Sequence, residues 1–279
     1  MAENFLARVD RILRARDSLL CVGLDPDPAR LPRAPHLSRG AALARFLRGI
    51  VEETYPHAAA YKLQLGSYLA FGTPGLALLQ RLTESIGPSR LRILDVKAND
   101  IANTMRLIRI GAFDELGFDA ITVSPWLGWE TLEPFAEDPA HGIFVVAHSS
   151  NPGAPDFQEI PTPRGLLWVA VVAEVRRMAR THGNVGAVVG ATYTDAIRVT
   201  REALGDGIPI LVPGIGTQGG QLSEVVRLGI DGSGGNLLVS ASRSILFASE
   251  GSDWRAAAGA EARRFKEQIN QLRSGYRTT

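Results

Sequence analysis

The sequence has few of the features that secreted, membrane or nucleic-acid-binding proteins need. Its single cysteine, Cys21, cannot form an internal disulfide, and its place in the apolar run 19–24 predicts a buried structural thiol in a protein of the reducing cytoplasm. The N-terminal pattern fits neither a signal peptide nor a membrane span, so we expect no export and no membrane contact. A formal net charge of +1 provides no general field for nucleic acid, so any anionic ligand must be held by a local site.

Lysine is also scarce, because only Lys62, Lys97 and Lys266 stand against 27 arginines. The chain therefore uses arginine as its general cation. Arginine cannot give up a proton near neutral pH, whereas a desolvated lysine can act as an acid or a base. Since Lys62 and Lys97 lie at the ends of predicted strands, we interpret both as candidates for chemistry. The alternative is that each forms only a salt bridge.

Short apolar, β-branched runs alternate with stretches of helical periodicity along all 279 residues. Strand-then-helix units predict parallel strands, and runs without polar alternation suit strands buried on both faces. An open doubly wound sheet is the alternative. No linker-like segment divides the chain, so we predict an α/β fold, a single (β/α)8 TIM barrel domain over residues 1–279, with an N-terminal helix covering one end and a final helix over 254–272. The eight predicted strands are 19–24, 59–63, 92–95, 120–123, 143–147, 185–189, 210–212 and 237–239.

The string Asp95-x-Lys97-x-x-Asp100 ends the third predicted strand. In such barrels the strand ends and the loops that follow them line the working face. The two-residue period of a strand predicts that Asp95 and Lys97 point together into the barrel. Asp100 follows in the loop and could alternatively be only a helix N-cap. Two carboxylates around one ammonium would favour a charged lysine and repel a substrate carboxylate, and loss of CO2 would relieve that repulsion.

A glycine-rich segment, residues 211–220, follows the seventh predicted strand. Its glycines free backbone N–H groups for an anion, and the loops after strands seven and eight form the common phosphate site of this fold. We therefore predict that Gln218 and Arg243 bind a phosphate together. The same glycines match the spacing of a dinucleotide-binding loop, but they do not open a βαβαβ half, which argues against a nicotinamide or flavin site.

The five histidines show no metal-ligand spacing, and the sequence contains no nucleophile elbow or Cys/His cluster. We therefore predict neither a metal site nor a cofactor. His148 ends the fifth predicted strand, where it either lines the pocket or is a satisfied structural histidine.

Taken in order, the strand-end segments resemble those of the orotidine 5'-monophosphate decarboxylase family, particularly its longer bacterial branch, type 2. The resemblance implies a homodimeric, cofactor-free carboxy-lyase that converts orotidine 5'-monophosphate (OMP) to uridine 5'-monophosphate (UMP) and CO2 in pyrimidine biosynthesis. Ala98-Asn99 and Ser149 depart from the family's usual Arg-Gly pair and threonine. The segments that carry the resemblance are 21–26, 61–64, 95–101, 149–153, 189–192, 213–216 and 242–245.

The resemblance also implies a role for each candidate residue. Lys62, Asp95, Lys97 and Asp100 would form the catalytic network, in which Lys97 stabilises and then protonates a carbanion at C6 of the pyrimidine. Asp100 and Thr104 would reach into the active site of a partner subunit. The substrate contacts would be Asp25 and Lys62 to the ribose, Ser150 to the pyrimidine, Gln218 and Arg243 to the phosphate, and Pro213 and Ser242 as further contacts.

Two other functions are compatible with parts of this pattern. A related group of Mg2+-dependent sugar-phosphate decarboxylases and synthases shares the Asp-x-Lys-x-x-Asp string, but that group is expected to carry a carboxylate where this chain has Lys62. A nucleotide-binding barrel without catalysis is the other alternative, and the intact set of charged residues argues against it.

Overall fold

Eight parallel strands form a closed barrel, which confirms the predicted fold. The computed structural model describes residues 3–216 and 219–276. Each strand pairs with its neighbours in chain order, and the eighth closes on the first, with Leu20 opposite Val239. The strands are β1 Leu20–Gly23, β2 Ala60–Gln64, β3 Leu91–Ala98, β4 Ala120–Val123, β5 Gly142–His148, β6 Val185–Val189, β7 Ile210–Pro213 and β8 Leu237–Ala241.

Helices surround the barrel and fill most of the connections between strands. A π-helical segment, Ile110–Glu115, continues the helix after β3, and a hairpin of two-residue strands, Pro161–Thr162 and Gly165–Leu166, follows β5. Within the described residues no helix is long and apolar enough to cross a membrane. The α-helices are α1 Phe5–Arg16, α2 Arg39–Thr54, α3 Leu65–Leu69, α4 Thr73–Ile86, α5 Ala102–Arg109, α6 Glu133–Ala136, α7 Ala154–Gln158, α8 Leu167–His182, α9 Thr194–Leu204, α10 Gly219–Gly229, α11 Arg243–Leu246 and α12 Trp254–Leu272, with 3-10 turns at Trp129–Leu132 and Ser274–Tyr276.

The strands are apolar at nearly every position because both of their faces are covered. All residues of β1, β4, β6 and β8 are buried, since one side of each strand faces the barrel interior and the other faces the helix layer. The continuous apolar runs in the sequence are the consequence of this two-sided burial. Polar residues in the strands are therefore exceptions that need a reason, and most of them lie at the carboxyl ends.

The N-terminal helix α1 closes the opposite end of the barrel. Asn4 caps it by accepting a hydrogen bond from the N–H of Ala7 at 2.9 Å. The Phe5 ring packs edge-on against Phe144 of β5 and occupies the space that a Cβ on Gly142 would need. Since these contacts lie at the amino ends of the strands, the carboxyl ends remain free to form a site.

Candidate active site

Four charged residues meet at the carboxyl ends of the first three strands. The Lys62 Nζ atom donates to Asp95 Oδ2 at 2.8 Å and lies 3.4 Å from Asp25 Oδ2. Lys97 Nζ donates to the other oxygen of Asp95 at 2.7 Å. The side chains of Lys62 and Asp95 are 5% and 9% exposed, whereas that of Lys97 is 51% exposed. Asp95 therefore joins a buried lysine to a lysine that a ligand can reach.

The position of Lys97 is set by an irregular backbone segment in β3. The two-residue strand period that the sequence suggests does not set it. Lys97 has a φ of 49°, in the left-handed region, and the pairing of β3 with β4 shifts register between Leu94 and Ala98. The predicted meeting of Asp95 and Lys97 is thus correct, but the reason given for it is wrong. A non-glycine residue with positive φ commonly marks a position held by its surroundings for function.

Thr122 on β4 supports this irregular segment and was missed by the sequence reasoning. Its Oγ1 atom accepts the N–H groups of Val96 and Lys97 at 3.1 and 2.9 Å, and it donates to Asp95 Oδ1 at 2.9 Å. One hydroxyl therefore accepts two N–H groups that would otherwise pair with a carbonyl group of the neighbouring strand. The same hydroxyl orients the Asp95 carboxylate. The only signal in the sequence is a hydroxyl within the apolar run 120–123.

The charge of the cluster follows from opposing effects of burial and ion pairing. Burial alone would raise the pKa of Asp95, but Lys62 and Lys97 outweigh it and lower the pKa to about 2. Burial alone would lower the pKa of Lys62, but Asp25 and Asp95 outweigh it and the pKa lies above its ordinary value. Asp95 is therefore a carboxylate and Lys62 an ammonium at neutral pH.

Asp25 and Ser242 lie together where β1 and β8 end. The Asp25 carboxylate accepts the N–H of Gln64 at 3.1 Å. A Cβ on Gly23 would lie 2.7 Å from the Ser242 Cβ and 3.0 Å from Asp25 Oδ2, so only glycine permits this approach. The Ser242 hydroxyl is buried and has no hydrogen-bond partner among the described residues. A buried polar atom without a partner is a group that a ligand can satisfy.

Arg243 follows Ser242 at the start of α11, on the carboxyl side of β8. Its side chain is exposed and forms no ion pair with another described residue. Gln218, which was predicted to act with it, lies outside the described residues. The structure thus places one of the two predicted phosphate ligands at the carboxyl end of the barrel.

Ser150 lies beside the ends of β6 and β7. A Cβ on Gly190 would come within 2.6 to 2.7 Å of the Ser150 backbone, so the two segments are in direct contact. The Ser150 hydroxyl is 3.9 Å from the Cβ position of Gly214, next to Pro213. Pro213 itself accepts the N–H of Ala191 at 3.1 Å through its carbonyl group. Ser150 therefore lies next to the carboxyl end of β7, where Pro213 is located.

Asp100 and Thr104 are not brought into the charged cluster of their own chain. The Asp100 carboxylate accepts the N–H of Ile101 at 2.7 Å, and within the described residues no ion pair joins it to Lys97 or Lys62. The N-cap residue of α5 is Ile101, so Asp100 does not cap this helix. Thr104 lies in the first turn of α5 and is partly exposed.

Cys21 has no part in this chemistry. It is fully buried in β1, and burial raises the pKa of its thiol to about 12. A thiol that is neutral and enclosed cannot act as a nucleophile. The interpretation of Cys21 as a structural residue is confirmed.

Comparison with known proteins agrees with this geometry. The model of the orotidine 5'-phosphate decarboxylase / HUMPS family matches residues 18–257. The orotidine 5'-phosphate decarboxylase of Thermomicrobium roseum is 40% identical over 278 residues, which cover 97% of this chain and 96% of the relative. A solved structure from Toxoplasma gondii has a TM-score of 0.88 and 32% identity, with 98% of both chains covered. The OMP decarboxylase of Leishmania donovani has a TM-score of 0.82 and 33% identity over 98% of this chain and 99% of its own. The chain therefore belongs to the orotidine 5'-phosphate decarboxylase / HUMPS family.

Proposed function

We propose that this protein is a carboxy-lyase that converts OMP to UMP and CO2 in pyrimidine biosynthesis, with Lys97 as its proton donor. The observation that carries the proposal is the Lys62–Asp95–Lys97 chain at the barrel mouth, in a member of this family. The cluster holds an accessible ammonium next to a carboxylate whose pKa is about 2. Such a pair suits a substrate that loses one negative group and gains a proton at the same carbon.

The proposed reaction has two steps at C6 of the pyrimidine. The bond between C6 and the carboxylate breaks, CO2 leaves, and the electron pair stays on C6 beside the Lys97 ammonium. Lys97 then gives a proton to C6 and regains one from solvent, which its half-exposed side chain allows. General acid catalysis contributes typically ~10²–10⁴-fold, so electrostatic stabilisation of the developing charge must supply most of the acceleration.

Asp95 has two proposed roles. It orients Lys97 through their 2.7 Å contact, and its negative charge repels the substrate carboxylate before that group leaves. The repulsion weakens when neutral CO2 departs. It therefore raises the free energy of the bound substrate more than that of the transition state. Lys62 pairs with both Asp95 and Asp25, which holds the two carboxylates in place, and it helps to keep Asp95 charged.

The substrate contacts are assigned by position around the mouth. We assign the ribose to Asp25 and Lys62 and the pyrimidine to Ser150, with Pro213 beside it. Two features support a phosphate near β8: the exposed guanidinium of Arg243 and the buried Ser242 hydroxyl without a partner. The phosphate would be bound by Gln218, Ser242 and Arg243. Phosphate binding far from the reacting carbon would supply the energy that offsets the crowding at Asp95.

We further propose that the active unit is a homodimer in which Asp100 and Thr104 complete the partner's site. Asp100 makes no ion pair within its own chain among the described residues, which is consistent with a role elsewhere. Large apolar side chains that are 45–63% exposed surround this region, and a cavity of about 650 Å³ opens beside Asn99. A second copy of the chain would cover this apolar surface, whose exposed members are Ile101, Leu107, Trp126, Leu127 and Phe157.

The Mg2+-dependent alternative is disfavoured by the ion pairs of the cluster. Asp25 and Asp95 both face the Lys62 ammonium, so their charges are already compensated and the centre of the group is occupied. A divalent cation would need oxygen ligands that converge on an open position. We also propose that residues 1–279 act as one catalytic domain and, because Cys21 is a free buried thiol, that the enzyme works in the cytoplasm.

Absorbance of OMP in the presence of the purified protein tests the proposed activity. We expect conversion to UMP at the same rate with and without a chelator. A rate lost to the chelator and restored by Mg2+ would favour the metal-dependent alternative. Tight binding of UMP without any conversion of OMP would leave the non-catalytic barrel as the better explanation.

A further inference from the structure

The segment that carries Ser150 is closed at its base by side-chain contacts. Residues 149–159 follow β5, include the short helix α7 and end close to the residues where the segment begins. The Ser149 N–H donates to Gln158 Oε1 at 2.8 Å, and Gln158 Nε2 donates to Ser149 Oγ at 2.8 Å. One residue further out on each side, His148 Nε2 lies 3.0 Å from Glu159 Oε1. Two adjacent pairs of side chains therefore tie the ends of this loop together.

His148 is held firmly by the barrel. It is 1% exposed, and its ring packs edge-on against Tyr193 and Trp168, with centroid distances of 4.3 and 5.5 Å. Its carbonyl group accepts the N–H of Gly190 at 2.8 Å. Since the ring is packed between Tyr193 and Trp168, its Nε2 atom is a fixed anchor for the loop.

The polarity of the His148–Glu159 contact follows from hydrogen-bond chemistry. An ionised carboxylate only accepts, so the proton between the two groups belongs to Nε2. The other ring nitrogen, Nδ1, is buried without a hydrogen-bond partner among the described residues. Every polar interaction that the structure gives the His148 side chain is thus with Glu159, whose own side chain is 35% exposed.

Ser150 lies two residues after His148, and its backbone is packed against Gly190. Its backbone contacts Gly190 so closely that no Cβ fits there. The position of Ser150 is therefore set by the path of the loop between its packing against Gly190 and the two contacts at its base, Ser149–Gln158 and His148–Glu159.

We infer that His148 and Glu159 are positioning residues that hold Ser150 against the pyrimidine of the substrate. The inference depends on the proposed function, which assigns the pyrimidine to Ser150. His148 touches no substrate; it acts through Glu159 and the loop. This role differs from that of a histidine that only makes a hydrogen bond in the core. Loss of the His148–Glu159 contact is expected to change substrate recognition more than folding.

A double-mutant cycle with Glu159→Ala and Ser150→Ala tests the inference. We expect Glu159→Ala to reduce kcat/KM for OMP about fivefold, which corresponds to the ~1 kcal/mol of one hydrogen bond to the substrate. In the Ser150→Ala background the same substitution should have little further effect, because Glu159 acts through Ser150. Glu159→Gln keeps an acceptor oxygen for Nε2 and should recover most of the loss. Glu202→Ala, on the exposed face of α9, is the matched control for loss of a glutamate.

Equal losses from Glu159→Ala in both backgrounds, or no loss at all, would overturn the inference. A wild-type protein that does not decarboxylate OMP would instead refute the proposed function. In that case, hydrogen exchange of residues 149–159 decides the inference separately: faster exchange of this segment alone in Glu159→Ala supports the tie, and unchanged exchange contradicts it.

Discussion

Asp95 determines the chemistry of the site because three side chains donate to one carboxylate. Lys62, Lys97 and Thr122 all reach its two oxygens within 2.9 Å. Charge-assisted hydrogen bonds of this kind are stronger than neutral ones and fix geometry as well as charge. The carboxylate is therefore ionised and held in place, as the proposed mechanism requires.

The depressed pKa of Asp95 predicts a stability that depends on pH in one direction. A carboxyl group whose pKa is lower in the folded state stabilises the protein fully above its unfolded pKa, and that contribution falls as pH decreases toward the folded value of about 2. With an unfolded value near 4, the loss between pH 6 and pH 3 is about 1 kcal/mol. Denaturant unfolding of wild type and Asp95→Asn at several pH values measures it.

The difference in unfolding free energy between these two proteins should shrink on acidification. Asp195→Asn changes an aspartate that is 95% exposed and serves as the control for loss of a surface carboxylate. A constant difference between wild type and Asp95→Asn from pH 6 to pH 3 would show that Asp95 is not held ionised by the two lysines.

The conformation of Lys97 is the clearest feature at this scale that the sequence could not predict. Lysine has no preference for positive φ, so nothing in the string 95–100 indicates a left-handed residue. That conformation depends on Thr122, which lies 25 residues further along the chain and meets Lys97 only when β3 and β4 pair. The residue types of the site are visible in the sequence, but the backbone geometry that aims them is not.

At the scale of elements, the junction of β3 and β4 is where the barrel departs from regularity. The shift in register frees two N–H groups, and Thr122 accepts both. An irregular strand end next to a site can redirect a side chain that a regular strand would place elsewhere. In the proposed mechanism, the pairing of these two strands therefore serves catalysis as well as folding.

Thr122→Val should lower both stability and activity. The substitution leaves the partly buried N–H groups of Val96 and Lys97 without this acceptor, at a cost of ~1 kcal/mol in unfolding free energy. Because the same hydroxyl orients Asp95, we also expect kcat to fall by roughly one to two orders of magnitude. Thermal or denaturant unfolding and OMP turnover measure the two effects.

Thr200→Val is the matched control for this substitution. Thr200 is fully buried in α9, and its hydroxyl has no hydrogen-bond partner among the described residues. Replacing it by an apolar group of the same shape should be neutral or slightly stabilising and should not change turnover. Equal effects of the two substitutions would mean that Thr122 contributes only its volume.

The regular elements were largely predictable because burial on two faces leaves a simple pattern. The predicted strands 120–123 and 185–189 match β4 and β6 residue for residue, and the predicted final helix matches α12. The hairpin Pro161–Thr162 and Gly165–Leu166 was missed, since strands of two residues have no periodicity to detect. The π-helical segment Ile110–Glu115 was missed because it differs from an α-helix only in its backbone hydrogen bonds.

At the scale of the whole molecule, the central question is whether two chains share each site. Asp100 lies at the edge of the mouth without an ion pair to its own cluster among the described residues, and exposed apolar side chains lie nearby. In a two-fold symmetric dimer the same patch meets itself, so each chain would give and receive the same residues.

Hybrid dimers test this arrangement directly. Lys97→Ala and Asp100→Ala dimers should each be inactive, but equal co-expression of the two chains yields hybrids in which one of the two sites has both residues. Random pairing makes half of the dimers hybrid, so about one quarter of wild-type activity should return. If Asp100 acted within its own chain, no hybrid site would be complete and the mixture would stay inactive.

The rate of OMP decarboxylation by Lys97→Ala at saturating substrate shows whether Lys97 carries the chemistry of the site. Lys97 is half-exposed and the remaining contacts to substrate are intact, so the variant should fold and should bind UMP about as well as wild type. We predict a rate below about one ten-thousandth of the wild-type value, because both the proton donor and the charge that stabilises the carbanion are lost. A rate within about tenfold of wild type would contradict the account and remove Lys97 from the chemistry.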